Sequence, residues 1–361
     1  MSSRPNVLIV GTGIIGASIA HRLAGAGVHV TMLEQSDTVG GASTRDSFAW
    51  INASIGNTDA YYLLRVAAMD EWRRLTRTLP DLHVNWCGSL KWDVEPERMA
   101  GFVSQHSSWG YRVRIVTAEE ARVLEPNLAQ HPEFSVYAPD EGSIEALEAT
   151  ERLLFKASAF GARVQTQVRV SGLLTSGGAV IGVSASRGAF YADETVLAAG
   201  VGTVSILQSV RIQFPMTASP AILLRSSPLQ PVLRGIVMTP RMYIRQGPDG
   251  LIVVSTDLEE GTSDISSQVA DIVRGIKAEV VGCESLTVDY FGCTPRAITA
   301  DGLPVVGRVI GLPGLYVATM HSGVTLAPLI GRLVTEEILD GSRSGLLQPF
   351  TVDRLVSAYT P

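Results

Sequence analysis

Apolar and polar positions first sort into a clear order between Val7 and Glu34. Val7-Leu8-Ile9-Val10 is a short unbroken apolar run, the pattern of a strand buried on both faces. Gly11-Thr12-Gly13-Ile14-Ile15-Gly16 then opens a helical pattern through Ala17, Ile19, Ala20, Leu23 and Ala24. A second apolar strand, Val28 to Leu33, ends at Glu34. The stretch therefore predicts strand, tight turn, helix, strand.

The remaining pattern alternates between the two periods. Residues 35–47 are small, polar and glycine-bearing and predict a loop, whereas Phe48-Ala49-Trp50-Ile51-Asn52 is too apolar to lie in solvent. Tyr61 to Leu79 carries Leu64, Ala67, Ala68, Trp72 and Leu75 at helical spacing, with Pro80 beyond the end. Its aromatic stripe reads as core. Residues 84–93 predict a strand pair, and Thr117-Ala118-Glu119-Glu120 opens a helix with a capping-box pattern. Ser135-Val136-Tyr137 predicts a strand, Asp140–Ser143 a turn, and Ile144 to about Phe160 a helix. Strands follow near Arg163–Gln165 and Arg169-Val170, with a hairpin through Thr175-Ser176-Gly177-Gly178. Thr195 to Gly200 is a buried strand ending at small residues, and 215–257 is strand-rich at Ala221–Leu224, Met242–Arg245 and Leu251–Ser255. Ile265–Val280 predicts a helix, Val288–Gly292 and Leu315–Ala318 strands, and about Leu326 to Leu339 a C-terminal helix.

The opening stretch has a chemistry. Gly11 permits the tight turn, Gly13 lets backbone approach a pyrophosphate, and Gly16 lets helix and strand pack closely. The helix N-terminus offers free N–H groups and a positive dipole end to phosphates. Glu34, at the end of the second strand, is placed to accept from a ribose hydroxyl. An acid there argues against a 2′-phosphate and so against NADP, while FAD and NAD both remain.

Composition narrows the class. The 361 residues predict two domains, and 46% hydrophobic with 18% charged residues at a net charge of -6 fits a compact protein. No basic patch points to nucleic acid, and the apolar runs are strand-length, which predicts no membrane span. The N-terminus lacks a signal-peptide pattern, and Cys87, Cys283 and Cys293 are scattered without metal spacing. The expectation is a cytoplasmic α/β protein with free thiols and no metal site.

Two later signals join the first: Val196-Leu197-Ala198-Ala199-Gly200, and Thr299-Ala300-Asp301-Gly302-Leu303-Pro304-Val305-Val306-Gly307. With the N-terminal motif they resemble the FAD-dependent amine and amino-acid oxidoreductases, the family of D-amino-acid oxidase, glycine oxidase and sarcosine oxidase. The resemblance implies FAD rather than NAD. It also implies a Rossmann-type FAD-binding domain assembled from 1–50, 140–215 and 290–361. A second, α+β substrate domain on an antiparallel sheet would use 51–139 and 216–289. FAD contacts would come from Gly11, Gly13, Ile14, Ile15, Gly16, Glu34, Gln35, Gly41, Ala42, Ser43, Thr44, Val168, Ala199 and Gly200. N–H groups of Gly323, Val324 and Thr325, opening the C-terminal helix, would face the flavin pyrimidine, where reduced flavin carries negative charge.

The same resemblance implies substrate residues. Arg296, three residues before Thr299, would grip a substrate carboxylate, for which a planar, always-charged guanidinium is suited. Tyr243 and Arg245 alternate with Met242 and Ile244, so they share a strand face and offer either substrate ligands or a satisfied sheet face. His321, just before the C-terminal helix, reads as a flavin-side group or a structural hydrogen bonder. Residues 42–47 contain no histidine to tether flavin, and Cys293 stands one residue out of register, so non-covalent FAD is expected. Ile252 stands where sarcosine oxidase-like members place a lysine, which argues against efficient reaction with dioxygen.

The implied reaction is oxidation of the C–N bond of an amino acid or N-substituted amino acid. Hydride would pass from the α-carbon to flavin N5, leaving an imine that water hydrolyses. Three alternatives stay open: the catalytic subunit of a heteromeric dye-linked proline or opine dehydrogenase, an alcohol oxidoreductase, or FAD binding without turnover. The electron acceptor, dioxygen or another, stays open, as does the assembly, a homo-oligomer or one with a partner subunit.

Overall fold

The computed structural model describes residues 4–55, 58–259 and 264–356, with the side chain of Ala42 excepted. The parts of the expected segments on 1–3, 56–57, 260–263 and 357–361 lie outside the described residues. Among the described residues, one six-stranded sheet runs in the order Val305–Arg308, Leu315–Thr319, Glu194–Leu197, Asn6–Val10, His29–Leu33, Arg163–Gln165. All neighbours in it are parallel except the edge strand Val305–Arg308. Its central strand is buried on both faces, as an unbroken apolar run requires. Val7 and Ile9 face the helices Ile14–Gly25, Asp59–Thr78, Ala146–Ala159 and Gly323–Asp340. Leu8 and Val10 face the three-stranded antiparallel sheet Val170–Ser176, Ala179–Ala185, Gly188–Tyr191. Buried Glu71 ties three of the helices together, accepting from Arg22 at 2.7 Å, Arg74 at 3.1 Å and Arg332 at 3.3 Å.

His21, on the first of these helices, has a buried Nδ1 without a partner among the described residues. Burial, then Arg22 and Lys156, pushes its pKa down from 6.5 to about 4. The unfolded chain takes up this proton below the ordinary value, the native chain only near 4. The contribution to stability is therefore complete above about pH 6.5 and lost as pH falls towards 4. The thermal midpoint is expected to fall across that window, and His21→Gln to flatten the fall. Parallel pH profiles for the two proteins would remove His21 from this role.

A larger sheet runs in the order Val288–Thr299, Met216–Pro228, Leu251–Asp257, Tyr243–Gln246, Ile236–Met238, Ser89–Lys91, Phe134–Ala138, Arg114–Thr117. Its neighbours are antiparallel except Ile236–Met238 against Ser89–Lys91, where two sequence-distant parts of the sheet meet. Strand alternation sorts its two faces. Leu224, Ile244, Ile252 and Val254 pack with the helix Ile265–Glu279, whereas Leu223, Ile236, Met238 and Val253 pack with Phe48 and Trp50.

Several local expectations need correction. Residues 84–93 supply one strand, Ser89–Lys91, and a lone bridge from Asn85 to Ser143, because Gly88 turns the chain at φ +76°. The turn expected at Asp140–Ser143 lies a residue earlier, and Gly142–Ser143 pairs with Trp50–Ile51 instead. The loop at 35–47 contains a helical turn, Gly41–Arg45. Val288–Gly292 continues unbroken to Thr299 because Met216–Pro228 pairs along its length. The C-terminal helix starts at Gly323, a turn before Leu326. The helix Pro96–Ser108 was not among the expected elements; Met99, Phe102 and Val103 on it pack on the core at helical spacing. No helix among the described residues is long and apolar enough to cross a membrane.

Candidate active site

The turn between the first strand and helix is built around missing side chains. Gly11 has φ +103°, and a Cβ there would lie 2.5 Å from the Ala198 carbonyl oxygen. A Cβ on Gly16 would lie 2.1 Å from the Gly11 carbonyl oxygen. At Gly13 the nearest atom would be Thr44 Oγ1 at 3.2 Å, so protein backbone does not close that side. Thr44 Oγ1 also accepts the Ile14 N–H at 3.1 Å, and Ile15 packs alongside. Glu34 is buried; its Oε2 accepts from Thr12 N at 3.1 Å and Thr12 Oγ1 at 2.7 Å, and its Oε1 from Ser36 N at 3.0 Å. A carboxylate has about four acceptor positions, so capacity for a ribose hydroxyl is left.

The neighbouring expectations are placed as follows. The Val168 N–H donates to the Glu34 carbonyl at 2.7 Å, holding the strand end closed. Ser43 Oγ donates to the Pro295 carbonyl at 2.8 Å, and Gln35 is exposed. Gly41 and Gly200 have φ +54° and +53°, each with open space where a Cβ would stand. Ala199 precedes the short 3-10 turn Gly200–Gly202. Ala42 lies on the helical turn, and its side chain is outside the described residues.

The start of the C-terminal helix meets this motif. A Cβ on Gly323 would stand 3.6 to 3.9 Å from Ile14 and Ile15 side-chain atoms. Trp72 Nε1 donates to the carbonyls of Val324 and Thr325 at 2.9 and 3.1 Å, and Thr325 Oγ1 donates to the Trp50 carbonyl at 3.1 Å. The N–H groups of Val324 and Thr325 lack intrahelical acceptors by position. The Gly323 N–H instead donates to the His321 carbonyl at 2.8 Å, so of the three amides expected to face a ligand, Gly323 is already engaged. Trp50 Nε1 is buried and unpartnered among the described residues, a donor left for something else. The cradle, the acid and the two helix starts fit a dinucleotide carrying a flavin.

On the facing side, the larger sheet brings Tyr243 to Phe48 and Trp50, with Arg296 near enough to act on the Tyr243 phenol. Tyr243 lies 5.9 Å from the Phe48 ring and 6.1 Å from the Trp50 ring. Burial, then Asp93 and Asp257, holds its phenol protonated above the usual range. Arg296 Nη2 donates to Ser219 Oγ at 2.9 Å and to Asp257 at 2.6 Å. Burial, then Arg296 and Arg65, pushes His321 down to about 4. His321 and Asp93 are both exposed to solvent.

Two expectations change here, and Cys293 is placed. Arg245 shares its face with Tyr243, but it is 2% exposed, donates Nε to the Phe48 carbonyl at 2.8 Å and pairs with Glu145 at 2.6 Å. Its Nε and Nη1 are held by the fold and its Nη2 is buried without a partner among the described residues, which corrects its assignment to substrate in favour of the sheet-face reading. Ile252 packs against the helix Ile265–Glu279, and Val253 faces Phe48 and Trp50. The position next to the site is thus one residue on, and is also apolar. Cys293 packs with Ile252's cluster, whereas Gly292, Thr294 and Arg296 lie on the other face, so its sulfur points away from the site.

Arg65 was missed. It occupies the stripe of Tyr61, Ala68 and Trp72, and a charge at a stripe position was the available signal. It is 5% exposed and donates Nη1 to the Ile55 carbonyl at 2.5 Å and to Asn52 Oδ1 at 3.2 Å, and Nη2 to Ser322 Oγ at 2.6 Å.

Comparison with known proteins bears on the fold and the family. The chain is 27% identical to 4-methylaminobutanoate oxidase (formaldehyde-forming) of Paenarthrobacter nicotinovorans over 93% of its own length, and spans 44% of that protein. It is 25% identical to glycine oxidase of Pseudomonas aeruginosa, with 97% of this chain and 98% of the relative covered. The crystal structure of glycine oxidase from Geobacillus kaustophilus superposes with a TM-score of 0.88 at 22% identity, covering 98% of this chain and 99% of that one. The family model described as FAD dependent oxidoreductase matches residues 6–337, and the chain belongs to that family.

Proposed function

We propose that the protein oxidises the C–N bond of an amino acid or N-substituted amino acid. The observation that carries this reading is the juxtaposition of Arg296 and Tyr243 with the N-terminus of Gly323–Asp340, across from the dinucleotide cradle. Both curated relatives are named for substrates that combine an amine with a carboxylate. FAD, when bound, supplies the two-electron acceptor for such a substrate.

The chain's own residues would orient it. The Arg296–Asp257 pair is open, with Asp257 79% exposed, and pairs of that kind contribute about 0–1 kcal/mol. A substrate carboxylate can therefore displace Asp257 and take the guanidinium bidentately. Tyr243, held protonated, would donate from its hydroxyl to the same carboxylate. His321, neutral above about pH 4, is too weak a base to deprotonate an ammonium, so we assign it to orientation. The FAD-binding part would be 1–50, 140–215 and 290–361, supported by the membership of the six-stranded sheet, and the substrate part 51–139 and 216–289. The strand Val288–Thr299 crosses that boundary, and through it Arg296 is set between the two.

The test is an anaerobic absorbance scan of the FAD-loaded protein against D-, L- and N-methyl amino acids, followed by air. Bleaching of the flavin band by at least one compound is expected. Rapid return of colour in air marks dioxygen as acceptor; slow return marks another acceptor or a partner subunit. A band that no amine bleaches sinks the proposal.

A further inference from the structure

Arg65 carries a charge that the fold does not neutralise. Among the described residues it has no carboxylate within ion-pair distance, in contrast to Arg245, the other largely buried arginine discussed above, which holds Glu145. Its Nη1 donates to neutral oxygens, its Nε has no partner among the described residues, and its guanidinium lies 4.2 Å from the centre of the Tyr61 ring. A ring face and carbonyl dipoles offset part of the desolvation, but burying a cation with no anion costs several kcal/mol in general. Such a group persists where an anion is to be met.

The remaining contact shows where. Nη2 donates to Ser322 Oγ, and Ser322 is the residue that precedes the C-terminal helix. By accepting from Arg65, Ser322 keeps its own hydroxyl proton to donate. The site therefore joins a full positive charge, a polarised hydroxyl and a helix N-terminus through one hydrogen bond. His321, the next residue towards the substrate side, already feels the field of Arg65.

We propose that Arg65 is a positioning residue for the flavin: acting through Ser322, it adds a buried positive charge to the helix start and stabilises the negative charge that reduction places on the pyrimidine end of the ring. The helix alone supplies about half an elementary charge; Arg65 adds a whole one beside the residue that precedes it. The inference rests on FAD being bound here, and the FAD content of each protein is therefore measured first.

The test compares Arg65→Gln, Arg65→Lys and Ser322→Ala with the parent, each assayed with FAD in excess. The readouts are the midpoint potential of the bound flavin and the dissociation constant of sulfite, whose addition to oxidised flavin leaves the ring anionic. Arg65→Gln is expected to weaken sulfite binding tenfold or more and to lower the potential, by about 30 mV for each tenfold. Arg65→Lys, which keeps the charge and loses the fork, is expected to stay within about threefold of the parent while melting earlier, since the hydrogen bonds that hold 52–55 are lost. Ser322→Ala is expected to weaken sulfite binding threefold or more. Unchanged sulfite affinity in Arg65→Gln, or in Ser322→Ala should the former not retain FAD, overturns the proposal and leaves Arg65 a support for residues 52–55. Equal losses in Arg65→Gln and Arg65→Lys also overturn it, since charge would then not be the cause. Failure of the parent itself to bind FAD would count against the cofactor reading instead.

Discussion

Gly16→Ala is expected to yield a chain without a flavin absorbance band. The added Cβ would stand 2.1 Å from the Gly11 carbonyl oxygen, where real Cβ atoms essentially never come within 3.0 Å. The clash cannot be relieved at Gly11, because that residue is itself pressed against the Ala198 backbone and sits at φ +103°. The helix Ile14–Gly25 must instead move off the strand, which costs about 3 kcal/mol or more for a backbone obstacle in a packed core. Falling on the binding site, that is about a 100-fold loss of FAD affinity. Gly13→Ala is the contrast, since its Cβ would meet only the Thr44 hydroxyl at 3.2 Å. It should fold with nearly the parent melting temperature, so any FAD loss there reports the approach of the ligand itself. Normal flavin loading of Gly16→Ala after reconstitution would contradict the packing account.

Arg296→Ala should raise KM for a carboxylate-bearing amine by a factor corresponding to about 2–4 kcal/mol, roughly 30- to 1,000-fold. The effect should vanish for an amine of the same shape lacking the carboxylate, which separates lost binding from a damaged site. Arg296→Lys should recover only part, because a point charge cannot make the two parallel bonds. Asp257→Asn should leave KM unchanged or lower it, since Asp257 competes for the guanidinium from an exposed position. If Arg296→Ala leaves both substrates alike, the carboxylate is held elsewhere. Arg245 is then no substitute, buried as it is against Glu145.

Which parts of the fold were legible follows from how local their causes are. Val7–Val10, Gly11, Gly16 and Glu34 were readable because turn sterics and a two-sided apolar strand act within about thirty residues. The capping box at Thr117 and Glu120 was readable for the same reason, and it forms as expected. Helix Pro96–Ser108 was overlooked although its causes are equally local: Pro96 opens it, and Met99, Phe102, Val103 and His106 recur at helical spacing. The strand at 84–93 was over-read, since its apolar letters are divided between a bridge and a short strand on either side of Gly88.

The sequence by itself determined the dinucleotide cradle and the acid at its edge, whereas the late strand reaches past Gly292 to Arg296 only because Met216–Pro228 pairs along it. Tertiary structure alone decided which side chains are free to act. Arg245 and Arg296 have the same chemistry, yet one is sealed against Glu145 and the other holds an exposed acid that can leave. Cys293 and Arg296 are three residues apart, and strand alternation sends them to opposite faces. Arg65 looks like one charge among several on an amphipathic helix until packing with Ser322 leaves it buried without an anion. Charge and hydrogen-bonding type are properties of a residue, but availability is a property of its neighbours, and those arrive from distant parts of the chain.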